Sequence, residues 1–318
     1  TQAKAVLLRI PTLYTKEPSI FQSIMQRLSN FFTYFFVVTI GYLVRHVSLK
    51  ASLKLGSAVG RIAFLTIKKR RQIALSNLRM IFKDKSEDEI NEIAKKSFVH
   101  LGKTLVEFLR LPKYDKHQLM DMVKLDGEEN LRQAISSGKG ILIITAHFGN
   151  WELIFHILTS FTDRLSAVAQ RFKNYRFDRL VNGYRVIHGG EIIEKADAIR
   201  QVIAHLRKGY CSVILSDQDA GDSGIFINFM GVPASIAKGP VMFAMRTDSI
   251  ILNVFDIRQD DDSHIISISK PIIIRHSGDL QEDIKKYTVE IAKSLESIIY
   301  KYPSQWLWMH NRWKSRKT

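Results

Sequence analysis

Ile141-Leu142-Ile143-Ile144-Thr145-Ala146-His147-Phe148-Gly149-Asn150-Trp151-Glu152-Leu153 is the stretch whose reading decides the fold. The apolar run Ile141–Thr145 is short and mostly β-branched, which predicts a strand buried on both faces. Gly149 permits a tight turn, and Asn150 is a good helix N-cap. Glu152 then falls in the first turn of the following helix, where a negative charge is favoured. Strand, turn and helix in this order place His147 at the carboxyl end of a strand, the edge of an open α/β sheet where ligands bind.

The same alternation extends in both directions. Strands are expected at Ile141–Thr145, Ser166–Val168, Ser212–Leu215, Ile250–Phe255 and Ile265–Ile268. Helices are expected at 151–160, 175–187, 195–208 and 238–246. A last helix over 280–300 carries Ile284, Tyr287, Ile291, Leu295 and Ile298 at the spacing of one packed face. Upstream, Ser86 and Glu89 form a capping-box pattern that opens a helix running towards Leu109, and Pro112 ends it. This pattern predicts an α/β fold: a single mixed, mostly parallel sheet flanked by helices.

The front of the chain differs. No residue between Arg27 and Arg45 is charged, and the stretch is rich in Phe, Val and Ile. Residues 28–44 stand at the short end of the roughly 17–25 residues that span a bilayer, so an N-terminal membrane-anchoring helix is expected, with a buried core helix as the competing reading. Lys50, Lys54, Arg61 and Lys68 then share one helical stripe, with Leu55, Val59 and Ile62 on the opposite side and Lys68-Lys69-Arg70-Arg71 beyond. A basic amphipathic helix beside an apolar anchor suits an anionic membrane surface. Lys and Arg are more numerous after the apolar segment than before it, which places the rest of the chain on the cytoplasmic face. Residues 1–84 are thus expected to form the anchor and basic helix, and residues 85–318 the α/β domain.

Lys and Arg number 47 against 31 Asp and Glu, a formal net charge of +16. That excess predicts an anionic partner. The basic cluster adjoins an apolar segment and no nucleic-acid module is present, so membrane is favoured over nucleic acid. Cys211, the single cysteine, excludes an intrachain disulfide and a thiolate metal site, and within Tyr210–Leu215 it reads as a small core residue.

Chemically, His147 and Glu152 read as a base and its orienting carboxylate. On one continuous helix they would lie about 140° apart, so the pairing requires the turn between them. Asp217 and Gln218 follow another apolar strand and reach the same edge, although a polar strand-end turn is the commoner meaning of such residues. The sequence holds no Gly-x-Ser-x-Gly elbow, Walker loop, dinucleotide fingerprint or His-Glu-x-x-His site. No metal or cofactor is therefore expected.

Taken in order, these residues resemble the lipid A biosynthesis acyltransferases, the late lauroyl and myristoyl transferases. The resemblance rests on the apolar front, Arg70–Leu78, the His147–Glu152 block, Gln170-Arg171-Phe172-Lys173-Asn174, Asp217-Gln218, Phe229–Ala234 and the tail Tyr302–His310. It implies an O-acyltransferase of the cell inner membrane, with acyl-acyl carrier protein as donor and a hydroxyl of a lipid A precursor as acceptor. His147 would be the general base and Glu152 its partner. Arg171 would contact a phosphate or the developing oxyanion, and Asn174, Asp217 and Gln218 would shape the site. A phospholipid, glycolipid or amino-acid lipid is the alternative acceptor.

Overall fold

The computed structural model describes residues 20–315. Residues 1–19 of the expected N-terminal unit, and 316–318 at the other end, lie outside the described residues. The chain opens with helices α1 (Ile20–His46), α2 (Leu49–Thr66), α3 (Lys68–Ile81), α4 (Glu87–Arg110) and α5 (Lys116–Asp121). There follow β1 (Val123–Asp126), α6 (Glu128–Ser136), β2 (Ile141–Thr145), α7 (Trp151–Leu158), β3 (Leu165–Ala169) and α8 (Tyr175–Arg185). Next come β4 (Glu191–Glu194), α9 (Ala198–Arg207), β5 (Cys211–Leu215), β6 (Ile225–Phe229), β7 (Val232–Ile236) and α10 (Gly239–Thr247). The series closes with β8 (Ile250–Arg258), β9 (His264–Ile268) and α11 (Leu280–Lys301).

Seven strands form one sheet in the order β1-β9-β8-β2-β5-β3-β4. Every neighbouring pair is parallel except β8 and β9. The expected mixed, mostly parallel sheet is therefore present. β2 lies between β5 and β8, and every residue from Ile141 to Thr145 is buried, as continuous apolar character requires. The capping box of α4 forms as expected: the Ser86 hydroxyl accepts from Glu89 N–H, and Glu89 Oε2 accepts from Ser86 N–H. β6 and β7 make a separate antiparallel hairpin. Its Phe229 packs with Trp306 and Trp313 from the tail.

The front of the chain leaves the expected membrane-anchoring helix without a spanning segment among the described residues. Among the described residues, no helix is long and apolar enough to cross a membrane. α2 buries neither its basic nor its apolar stripe. Its buried face is Ser52, Leu53, Gly56, Ser57 and Gly60, packed against α4. A Cβ on Gly102 would collide with the carbonyl oxygen of Gly56, and one on Gly56 would stand 2.6 Å from the Gly102 oxygen. Small residues let the two backbones touch, so Leu55, Val59, Ile62 and Leu65 remain exposed beside Lys54 and Arg61. Phe31, Phe32, Phe35 and Phe36 of α1 are likewise exposed, at 48–66%.

Candidate active site

His147 stands just past the end of β2, and Asp217 just past the end of β5, which is hydrogen-bonded to β2 in parallel register. Adjacent parallel strands thus deliver a base and a carboxylate, 70 residues apart in the chain, to the same edge. His147 Nδ1 lies 2.9 Å from Asp217 Oδ1. The backbone N–H of His147 donates to Asp217 Oδ2 at 3.0 Å, and the indole N–H of Trp306 donates to the same oxygen at 3.0 Å. A carboxylate holding Nδ1–H leaves the lone pair on Nε2.

Burial opposes ionisation of Asp217, but the His147 imidazole and the three hydrogen bonds outweigh it and hold the carboxyl at about 2. For His147, burial lowers the pKa, and the charge and hydrogen bond of Asp217, assisted by Glu152, reverse that and raise it above the usual histidine range. Behind the pair, Asp217 borders a hollow whose wall carries Ile144, Phe229, Phe255 and Leu295 together with the polar Asn253 and Arg312.

The sequence pairs His147 with Glu152; the structure puts a different carboxylate on the imidazole. Glu152, in the first turn of α7, is clasped by Arg185 from the end of α8, with Nε–H donating to Oε2 at 2.9 Å and an Nη2–H to Oε1 at 2.5 Å. Trp151 meets the His147 ring edge-to-face, with centroids 5.1 Å apart. The turn does fold His147 back, but towards β5, while the first turn of α7 points Glu152 at α8. Glu152 therefore acts on His147 through space only, and the Arg185 guanidinium paired with it acts in the opposite direction.

The turn itself is tightly held. Gly149 has φ +56°, and a Cβ there would collide with the carbonyl oxygen of Asp256. Asn150 caps α7 as expected, its Oδ1 accepting from Leu153 N–H at 3.3 Å. The tail completes the enclosure: Gly149 N–H donates to Gln305 O at 3.0 Å, and Leu307 N–H donates to His147 O at 3.0 Å. Asn77 Nδ2 donates to the carbonyls of Trp308 and His310 at 2.9 and 2.8 Å, which fastens the tail to α3.

The remaining expected site residues are dispersed. Arg171 is exposed on the loop after β3, and its guanidinium stands 3.6 Å from Glu194 at the end of β4. Asn174 is the N-cap of α8, accepting from Phe177 N–H at 3.2 Å. Gln218 is exposed, while its neighbour Asp217 is buried. Sequence reasoning missed Trp306, Gln305 and Arg185. The first two lie in the tail Tyr302–His310 that carries part of the family resemblance, but nothing in the sequence says that this tail meets Asp217. Cys211 is buried and its thiol is pushed up to about 12 by that burial, as a small core residue should be.

A family model described as bacterial lipid A biosynthesis acyltransferase matches residues 20–315. The chain belongs to this family. Curated relatives agree with that assignment. The lipid A biosynthesis palmitoleoyltransferase of Escherichia coli (strain K12) is 24% identical over 264 residues, covering 82% of this chain and 84% of that protein. The lipid A biosynthesis lauroyltransferase of the same organism is 24% identical over 265 residues, covering 83% and 85%. A phosphatidylinositol mannoside acyltransferase of Mycolicibacterium smegmatis is 22% identical over 241 residues, covering 74% and 77%. Among solved structures, a 1-acyl-sn-glycerophosphate acyltransferase of Thermotoga maritima is similar at 16% identity and a TM-score of 0.37, covering 72% of this chain and 97% of that one. This lipid A acyltransferase family member thus carries its His147–Asp217 pair at the carboxyl edge of the sheet, braced by its own tail.

Proposed function

We propose that this protein transfers a fatty acyl chain from acyl-acyl carrier protein to a hydroxyl of a lipid A precursor at the cytoplasmic face of the inner membrane. The observation that carries this reading is a histidine with Nδ1 held by a buried carboxylate, in a chain that the lipid A acyltransferase family matches from residue 20 to residue 315. His147 Nε2 takes the proton of the acceptor hydroxyl as its oxygen attacks the thioester carbonyl. The C–S bond then breaks, and the imidazolium returns the proton to the carrier thiolate. General-base assistance of this kind contributes about 10²–10⁴ in rate. Asp217 stabilises the imidazolium directly, and Glu152, paired with Arg185, does so through space. Arg171, exposed on the loop after β3, is assigned to an anionic group of either substrate, and Asn174 to shaping the loop through its cap on α8.

The exposed aromatic residues of α1 and the apolar and basic stripes of α2 support seating on an anionic bilayer, with the apolar side chains entering the interface. The +16 charge suits both that surface and an acidic carrier protein. Flotation with vesicles containing anionic lipid tests the seating. Binding is expected for the native chain and loss is expected for a Phe32→Ser, Phe36→Ser double variant; equal flotation of both refutes it.

A second acceptor class is favoured by one observation, the similarity to a phosphatidylinositol mannoside acyltransferase. Mass spectrometry of products from a lipid A precursor and from a phosphatidylinositol mannoside, each offered with acyl-acyl carrier protein, separates the two. Acylated precursor is the expected product; acylation of the mannoside alone would transfer the reading to the second class.

A further inference from the structure

A cluster of buried charges beneath the His147 turn has no part in the proton transfer. Glu107 on α4, Asp256 and Arg258 on β8, and His264 on β9 are all buried. Arg258 donates two hydrogen bonds to Glu107, at 2.6 Å to Oε1 and 2.5 Å to Oε2. His264 Nδ1 lies 2.9 and 3.0 Å from the two oxygens of Asp256, and its Nε2 lies 3.3 Å from Glu107 Oε1. Both ring nitrogens face carboxylate oxygens, so both donate and the ring is an imidazolium. Two carboxylates and two cations make the cluster neutral. Burial works against the charged ring, and Asp256 with Glu107 overcomes it, pushing His264 up to about 10.

This cluster reaches the catalytic turn by several routes. Asp256 Oδ2 accepts from the backbone N–H of Asn150 at 2.6 Å, and Glu107 Oε2 accepts from Asn150 Nδ2 at 2.8 Å. Arg258 exchanges two hydrogen bonds with the Gln305 side chain, at 2.9 Å from its N–H and 2.8 Å to its carbonyl. The Gln305 carbonyl in turn holds Gly149 N–H at 3.0 Å. On α4, one turn before Glu107, Thr104 donates to the Gly149 carbonyl at 3.1 Å. Residues 149 and 150, two and three positions beyond the base, are therefore fixed from four sides.

We propose that Glu107, Asp256, Arg258 and His264 form a positioning network whose task is to fix the His147 turn in its reactive geometry. The inference rests on the acyl-transfer reading, because what the network positions is the base of that reaction. Buried ion networks are a poor device for stability alone, since well-packed apolar residues often do as well or better. Their strength is geometric definition, and a misplacement of about 1 Å in a reacting group costs about 10²-fold in rate. All four side chains are buried away from solvent, so their effect falls on turnover and not on binding.

The test uses the full chain with two variants. Asn150→Ser keeps a good N-cap for α7 and cuts the side-chain link to Glu107. His264→Gln removes the central cation. Each is expected to lower kcat ten- to a hundredfold with KM for donor and acceptor within threefold of the native value. The rate at which diethyl pyrocarbonate modifies His147, followed by peptide mass spectrometry, is expected to change at least threefold in folded protein. Leu119→Ala, a destabilising change in the buried core at α5, serves as the control and retains kcat. Should His264→Gln fail to fold, Asn150→Ser alone decides. Native kcat and native His147 reactivity in a folded variant overturn the inference, as does an equal loss of kcat in Leu119→Ala. A native enzyme with no transfer activity would instead fail the acyl-transfer reading, while His147 reactivity would still report on the turn.

Discussion

Replacing Asp217 with Asn keeps the shape of the site and removes its charge, and the hydrogen bonds decide the result. Asp217 accepts from three donors: His147 Nδ1–H on Oδ1, and the His147 backbone N–H and Trp306 indole N–H on Oδ2. An amide offers one oxygen and one NH₂. With its oxygen at the Oδ2 position it satisfies two donors, and with its oxygen at the Oδ1 position it satisfies one. The first arrangement is preferred, and it points NH₂ at Nδ1. The ring must then accept there and carry its proton on Nε2, the wrong tautomer for a base. The expected loss in kcat is about 10²–10⁴-fold, the range of general-base assistance and of the corresponding substitution in serine protease triads. Asp217 also raises the pKa of His147, and the base must be neutral to act, so activity rises with pH through that value. The acid limb of the residual activity should therefore move to lower pH in Asp217→Asn. The assay is the pH profile of kcat/KM for acyl transfer, with thermal melting to confirm the fold. Retention of kcat within about threefold, or an acid limb that stays in place, would refute the reasoning.

Trp306→Phe removes one of the three donors to Asp217 while keeping an aromatic ring; kcat is expected to fall by about 10- to 150-fold, in line with the roughly 1.5–3 kcal/mol that a hydrogen bond to a charged group is worth, and steady-state kinetics check it. Gly102→Ala drives a methyl group into the Gly56 carbonyl and should cost about 1–3 kcal/mol of stability, measured by urea unfolding. The buried network also predicts the pH dependence of stability. Burial opposes ionisation of Glu107, yet Arg258 holds it at about 2 against a usual 4.5, so its contribution is complete above pH 4.5 and is lost as pH falls through about 2. His264, raised from 6.5 to about 10, contributes fully below pH 6.5 and its contribution is lost as pH rises through about 10. Unfolding midpoints should thus decline on the alkaline side in the native chain, and His264→Gln should flatten that decline.

The five strands legible in the sequence, β2, β3, β5, β8 and β9, are runs rich in apolar residues, and two of them are buried throughout. β2 and β8 read as continuous apolar runs because they lie in the middle of the sheet with both faces covered. β1 and β4 are not legible because they are four-residue edge strands in which charge breaks the pattern, as in Val123-Lys124-Leu125-Asp126 and Glu191-Ile192-Ile193-Glu194, and the β6–β7 hairpin, which stands apart from the main sheet, is not legible either. The position of His147 was legible because a strand end followed by Gly and Asn is a local signal. Its partner was not, because the choice between Glu152 and Asp217 depends on β5 lying beside β2, a fact of sheet order that local spacing does not contain. Asp217 is legible as a residue of this edge, and its contact with His147 is not. The tail's place at the site is not legible for the same reason: Trp306 reaches Asp217 through a contact 89 residues apart. On α2, periodicity located the basic and apolar stripes, but the buried face was the one marked by glycine and serine, where backbone contact replaces side-chain burial.

The most direct measurement is a single-turnover assay of labelled acyl-acyl carrier protein with a hydroxylated lipid A precursor, comparing the native chain with a folded His147→Ala variant. The native chain should yield acylated lipid, and the variant should be slower by about 10²-fold or more. Equal transfer by the variant, or release of free fatty acid at the same rate with the acceptor left out, would contradict the account.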